Sequence, residues 1–252
     1  MAETKGARSG STGGMVESTG TGGSTAKASR TRLDLWCDRA WIKFSIVLAF
    51  VMMVAILVNW NTWPDGLKVI AGIAVLIPNH VIEEWVFPGG FHYQYNVMMY
   101  KSDRPNCYPM CRCSDMITNL VTTLLFIGLT IWCAATGEVP EGMLMAVVAF
   151  SALEFCMHTA FGAFMYFKFR DRGKTTIYGP GSVTAYFGFV PLGAIAFLSL
   201  EGATITGTDW AICIGILLFI AVCTILIPET LIKKHGEKYP FADAGYYQRF
   251  LD

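Results

Sequence analysis

Residues 67–90 read LKVIAGIAVLIPNHVIEEWVFPGG, and this stretch decides the fold. From Leu67 to Ile77 only Lys68 is charged, and an apolar helix of roughly 20 residues is long enough to cross a hydrocarbon core. His80, Glu83 and Glu84 stand at the far end of the run, before the turn-forming Pro88, Gly89 and Gly90. Ionised groups are costly in hydrocarbon, so those found within a span mark a functional site by default.

The same pattern recurs along the chain. Of the 252 residues, 54% are hydrophobic and 15% are charged, against about 25% charged in an average globular chain. Long runs carry no Lys, Arg, Asp or Glu. They give spans at 41–61, 67–87, 116–136, 143–167, 183–200 and 210–231. Trp41, Trp60, Trp63, Trp85 and Trp210 fall near the span ends, where amphipathic rings favour the interface. The expected fold is all-α: an integral membrane bundle of six transmembrane helices over 34–232, with the lipid bilayer as its partner.

Basic residues give the orientation. All but Lys68 of the 19 Lys and Arg residues lie in the N-terminal region, the loops after spans two and four, and the C-terminal tail. The positive-inside rule then places both termini in the cytoplasm of a multi-pass cell-membrane protein. Residues 1–33 form a different segment: 17 of the first 30 are Gly, Ser or Thr. Such composition cannot offset the entropy of ordering, so a disordered tail is expected. It lacks the apolar core of a signal peptide, and Met15 offers an alternative start. Residues 233–252 form a cytoplasmic tail. No nucleic-acid motif is present, and no nucleic-acid partner is expected.

Depth and spacing link the polar residues. Span two runs inward, placing His80 about 20 Å and Glu84 about 25 Å from its outer end at the α-helical rise. Span four also runs inward, with Glu154 about 16 Å and His158 about 22 Å down it. His80 and Glu84 are four residues apart, as are Glu154 and His158, so each pair shares a helix face. Span three adds Asp115, Asn119, Thr122 and Thr123 on the same side. Pro78 is expected to kink span two just before His80. The outer halves of the spans are nearly free of ionisable groups, which describes an apolar cap over a polar pocket open to the cytoplasm.

Imidazole and carboxylate together suit a divalent metal: zinc, iron or manganese. His80, Glu84, Glu154 and His158 are the candidate ligands. Glu83 is a further ligand or a general base, and Tyr178 is a candidate substrate contact. The order His-x-x-Glu is the reverse of the Glu-x-x-His of di-iron bundles, and the His-Glu-x-x-His zinc-protease helix is absent. A metal-free acid/base pair and simple polar pairing are the rival readings. Cys37, Cys107, Cys111 and Cys113 gather on the cytoplasmic side without a standard zinc spacing, so free thiols are expected. Cys133, Cys156, Cys213 and Cys223 read as small apolar fillers. His92 and His235 read as solvated loop and tail residues, with His92 as an alternative lid over the pocket.

The motifs HVIEE, CMH and YGPG resemble those of the membrane-protein family named for its His-x-x-Glu-Glu motif. The match falls on His80, Glu83 and Glu84, then His158, then Tyr178, Pro180 and Gly181. This resemblance implies a multi-pass membrane protein and adds weight to Tyr178 and the Pro-Gly turn. It implies no particular activity. The residues favour a metal-dependent membrane enzyme acting on an amphipathic or lipid-like molecule from the cytoplasmic side. A proton-coupled secondary transporter and a non-catalytic scaffold are the alternatives.

Overall fold

A computed structural model of the chain describes residues 31–251. The expected disordered tail over 1–33 lies outside them except for its last three residues. Those three already open the first helix, α1 (Arg32–Val58). Thr31 Oγ1 accepts the Asp34 N–H, and the Asp34 carboxylate accepts the Thr31 N–H. This reciprocal cap starts the helix well before the apolar run begins at residue 41.

Six further helices follow: α2 (Asp65–Val86), α3 (Phe91–Tyr100), α4 (Arg112–Thr136), α5 (Glu141–Arg172), α6 (Ser182–Leu198) and α7 (Gly207–Lys238). A short 3-10 segment, Gly245–Phe250, closes the described chain. Among the described residues there is no strand. The helices α1, α2, α4, α5 and α7 are long and apolar enough to cross a membrane. The expected fifth span, 183–200, is the shorter α6, bounded by the Gly181 turn and a turn beginning at Ser199. At the α-helical rise it is about 25 Å long, somewhat under the roughly 30 Å of a hydrocarbon core. The helix α3 replaces an expected loop.

The central helix is α2, which packs against α1, α4, α5 and α6. Its Val69, Ile70, Ala71, Ile73, Ala74 and Ile77 are buried. Pro78 lies within it, and the backbone widens to a π-helical turn over Ile82–Val86. Such turns re-aim side chains and are frequent at functional sites.

Side-chain links identify two ends of the bundle. At one end, Arg112 at the start of α4 pairs with Asp38 of α1 at 2.7 Å. Trp85 of α2 packs edge-on against Trp41 of α1 and against Phe241 of the C-terminal segment. Arg172 at the end of α5 donates to the carbonyl of Phe250. Among the described residues, the start of α1, the start of α4, the end of α5 and the C-terminal segment therefore meet at one end. At the other, Asp209 caps α7 through Thr206 and also accepts the Gly142 N–H of α5 at 3.2 Å. Lys68 pairs there with Asp65 and lies over the Trp60 ring.

Candidate functional site

The i, i+4 spacing on α2 and α5 brings four side chains together. His80 Nε2 and His158 Nε2 are 3.2 Å apart. Glu84 Oε1 lies 3.2 Å from the first and 3.6 Å from the second. Glu154 Oε2 lies 3.6 Å and 3.4 Å from the same two nitrogens. His80, Glu84 and His158 are buried, while Glu154 is partly open. His80, Glu154 and His158 form a group able to hold a metal ion, their ligand atoms all within 4.8 Å of one another.

A chain of hydrogen bonds behind His80 fixes which of its nitrogens faces this cluster. Glu83 points the other way from Glu84, onto the first turn of α6. Its carboxylate accepts the N–H groups of Val183 and Thr184 at 3.0 and 2.9 Å, the Thr184 hydroxyl at 2.7 Å and the Tyr178 hydroxyl at 3.2 Å. A carboxylate capping free N–H groups at a helix start is favourable both as hydrogen bonding and against the helix dipole. Because the Thr184 hydroxyl hydrogen is directed at Glu83 or the Gly181 carbonyl, Oγ1 acts as acceptor toward His80 Nδ1 at 2.6 Å. In a neutral ring the proton is then on Nδ1, and the Nε2 lone pair faces His158, Glu84 and Glu154.

The Tyr-x-Pro-Gly turn packs against the second histidine. Gly181 has φ +91°, and a Cβ there would collide with the His158 ring. Only glycine satisfies both the left-handed backbone and the close approach. His158 Nδ1 is buried and has no hydrogen-bond partner among the described residues.

The cluster forms the polar end of a cavity of about 260 Å³. Asp115, Asn119 and Tyr95 extend that polar end, while α5 and α7 supply most of the apolar wall, among them Leu153, Met157, Ala221 and Ile225. Trp85 Nε1 and Asn119 Nδ2 donate to the two oxygens of Asp115, at 2.7 and 2.8 Å. Tyr95 and Tyr100 both donate to Glu229 Oε2, at 3.1 and 3.3 Å.

Sequence expectation and structure differ at several positions. Neither Glu83 nor Tyr178 lines the cavity; both stand behind His80. Burial and the adjacent Glu83 carboxylate hold the Tyr178 phenol above its usual range, so it stays a donor. His92 lies in α3, not in a solvated loop: it is buried, stacked 3.7 Å from Phe241, with Nε2 bonded to the Asp243 carbonyl. Cys156 and Cys223 face outward, while Cys133 and Cys213 are buried; all eight cysteines are free thiols. His235 is exposed.

Two residues not singled out from the sequence belong to the surroundings of the site. One is Thr184, six residues after Tyr178 and within the first turn that the Pro-Gly motif opens. The other is Lys174, whose Nζ donates to the Tyr178 carbonyl at 2.5 Å and lies over the rings of Tyr246, Tyr247 and Phe250. Burial, followed by the nearby Arg249, lowers its ammonium to about 8.

The fold and the cluster together define an all-helical, membrane-type protein with buried polar groups between its helices. Residues 71–196 match the family described as "Protein of unknown function with HXXEE motif", and the chain belongs to that family. No curated protein and no solved structure matches it.

Proposed function

We propose that the protein is an integral membrane enzyme whose centre is a divalent metal held by His80, Glu84, Glu154 and His158, acting on an amphipathic molecule in the adjoining cavity. The observation that carries this reading is the spacing of the donor atoms: His80, Glu154 and His158 lie within 4.8 Å of one another, and Glu84 stands beside both histidines. The five separations above run from 3.2 to 3.6 Å. Donors arranged tetrahedrally around an ion at about 2.0–2.2 Å lie roughly 3.3–3.6 Å apart, using ordinary zinc–nitrogen and zinc–oxygen distances. The fixed tautomer of His80 is further support, since a ligating imidazole usually donates its other N–H to a fixed acceptor. The donor set suits zinc, iron or manganese.

In this reading Glu83 and Tyr178 position His80 and are not themselves ligands or substrate contacts. The cavity supports an amphipathic substrate because one end is acidic and the remainder aliphatic and aromatic. The gathering of the basic segments at one end supports six crossings, α6 included, with both termini in the cytoplasm and the site toward that face.

A second reading rests on the 3.2 Å between the two Nε2 atoms. The same geometry suits one imidazole N–H donating to the other nitrogen beside two carboxylates, a proton-sharing group usable for acid/base chemistry or proton-coupled transport. Elemental mass spectrometry on protein purified in detergent without chelators separates the two readings. The metal centre requires close to one ion per chain, lost in folded Glu84→Ala and His158→Ala variants. Metal-free protein that also fails to take up added zinc, iron or manganese overturns it in favour of the proton-sharing group.

A further inference from the structure

We infer that the cavity takes a single-chain amphiphile with a hydroxyl head, which enters sideways from the bilayer between α5 and α7. This rests on the cavity being the substrate site and deepens that reading by naming the head group and the route.

The chemistry of the polar end selects the head. Its carboxyl groups are Glu84, Asp115 and Glu154, and among the described residues no Lys or Arg lines the cavity. The two positive charges of an ion held there are balanced by Glu84 and Glu154, so an anionic head such as a phosphate or a fatty carboxylate adds a charge with no cationic side chain to pair with. The hydroxyl and amide donors of the lining are already engaged: Tyr95 on Glu229, Asn119 on Asp115 and its carbonyl, and Thr118 on the carbonyls of Ser114 and Thr224. The carboxylates have acceptor capacity in excess of these donors. A head that only accepts hydrogen bonds, such as an ester or ketone, can offer a lone pair to the ion but finds none of these donors available and has no hydrogen for the carboxylates. A protonated amine can donate but has no lone pair to offer an ion held by the histidines. A hydroxyl has both: a hydrogen for a carboxylate and an oxygen lone pair for the ion.

The route follows from which wall residues are on two surfaces at once. Leu153 and Met157 of α5 and Ala221 and Ile225 of α7 line the cavity, yet they are also exposed on the outside of the bundle, Leu153 at 54%. Both helices are apolar enough to cross a membrane, so the surface that these residues share with the cavity faces lipid. The alkyl tail can therefore stay in the bilayer while the head reaches the cluster, and the 260 Å³ cavity need hold only the head and the first part of the chain.

The test uses the full chain in phosphatidylcholine nanodiscs and three photoreactive probes with one C14 diazirine tail and an alcohol, amine or phosphate head. Labelled peptides are mapped by mass spectrometry, and metal content is read on the same samples. Expected is alcohol labelling of α5 and α7 that exceeds phosphate labelling roughly tenfold, the scale set by an unpaired buried polar group, and that also exceeds amine labelling. Leu153→Trp and Ala221→Trp, one on each side of the opening, should reduce alcohol labelling with metal content unchanged. Phosphate labelling equal to alcohol labelling overturns the inference, as does preference for the amine, or alcohol labelling untouched by both tryptophans. The comparison of heads needs only the unmodified protein. Alcohol preference without bound metal removes the metal centre and leaves the hydroxyl pocket supported.

Discussion

The Glu83 carboxylate accepts the Thr184 hydroxyl at 2.7 Å, joining α2 to the first turn of α6 directly behind His80. Adjacent glutamates thus face two directions: Glu84 toward the histidine pair, Glu83 toward a helix start. The link sets the His80 tautomer and, with it, the direction of the Nε2 lone pair.

Replacing the linking hydroxyl tests that role. Thr184→Val keeps shape and removes the acceptor for His80 Nδ1. Metal affinity should fall by about 10–100-fold, the usual effect of losing a partner behind a ligand, and Thr184→Ser should restore most of it. Chelator competition on the purified variants measures both. Unchanged affinity in Thr184→Val would show that the tautomer is set by other means.

Gly181→Ala probes the packing of the Tyr-x-Pro-Gly turn on His158. The left-handed backbone alone costs about 1–2 kcal/mol for a residue with a Cβ, and the methyl would also push the His158 ring. A lower thermal midpoint together with weakened metal binding is expected. A stability loss with binding intact would mean that the ring accommodates the methyl without moving its Nε2.

Acid should weaken the fold through His92. Burial lowers its imidazole to about 3, below the usual value near 6.5. Between those pH values the unfolded chain binds a proton that the folded chain does not, so stability is full above about pH 6.5 and falls as the pH drops toward 3. From pH 7 to pH 5 the loss is about 2 kcal/mol by linkage. Thermal midpoints in detergent across that range should fall less steeply in a His92→Phe variant than in the parent. Equal slopes would assign the acid sensitivity to other groups.

Asp209 supplies a control at the opposite end of the bundle. Asp209→Ala removes half of the α7 capping box and the acceptor for the Gly142 N–H. A loss of about 1–2 kcal/mol is expected from the cap, with metal binding unaltered. Loss of the metal in this variant would show that the cluster depends on global stability and not on its local supports.

What the sequence made legible is what helical repeats encode. His80 with Glu84 and Glu154 with His158 are one turn apart, so each pair had to share a face, and similar distances along two helices aligned them. The helix α3 was not legible: FHYQYNVMMY has no apolar stripe of ordinary width, and its buried Gln94 and Asn96 are satisfied by distant partners. Gln94 accepts the Tyr247 hydroxyl, and Asn96 bonds the backbone of Pro105 and Met110. Glu83 reads as a ligand or base because it stands three residues from His80; the π-helical turn and the N–H groups at the start of α6 that redirect it are tertiary features. The end of α6 at Leu198 is less legible, because its apolar run continues into the turn that follows.

The most direct measurement is X-ray absorption at the metal edge of protein loaded with one equivalent of zinc. The account predicts a shell of nitrogen and oxygen only, at about 2.0–2.1 Å, with the outer scattering of two imidazoles that falls to one in His158→Ala. Sulfur at about 2.3 Å would instead assign the ion to the cysteines, and a shell without imidazole would contradict the assignment of His80 and His158 as its ligands.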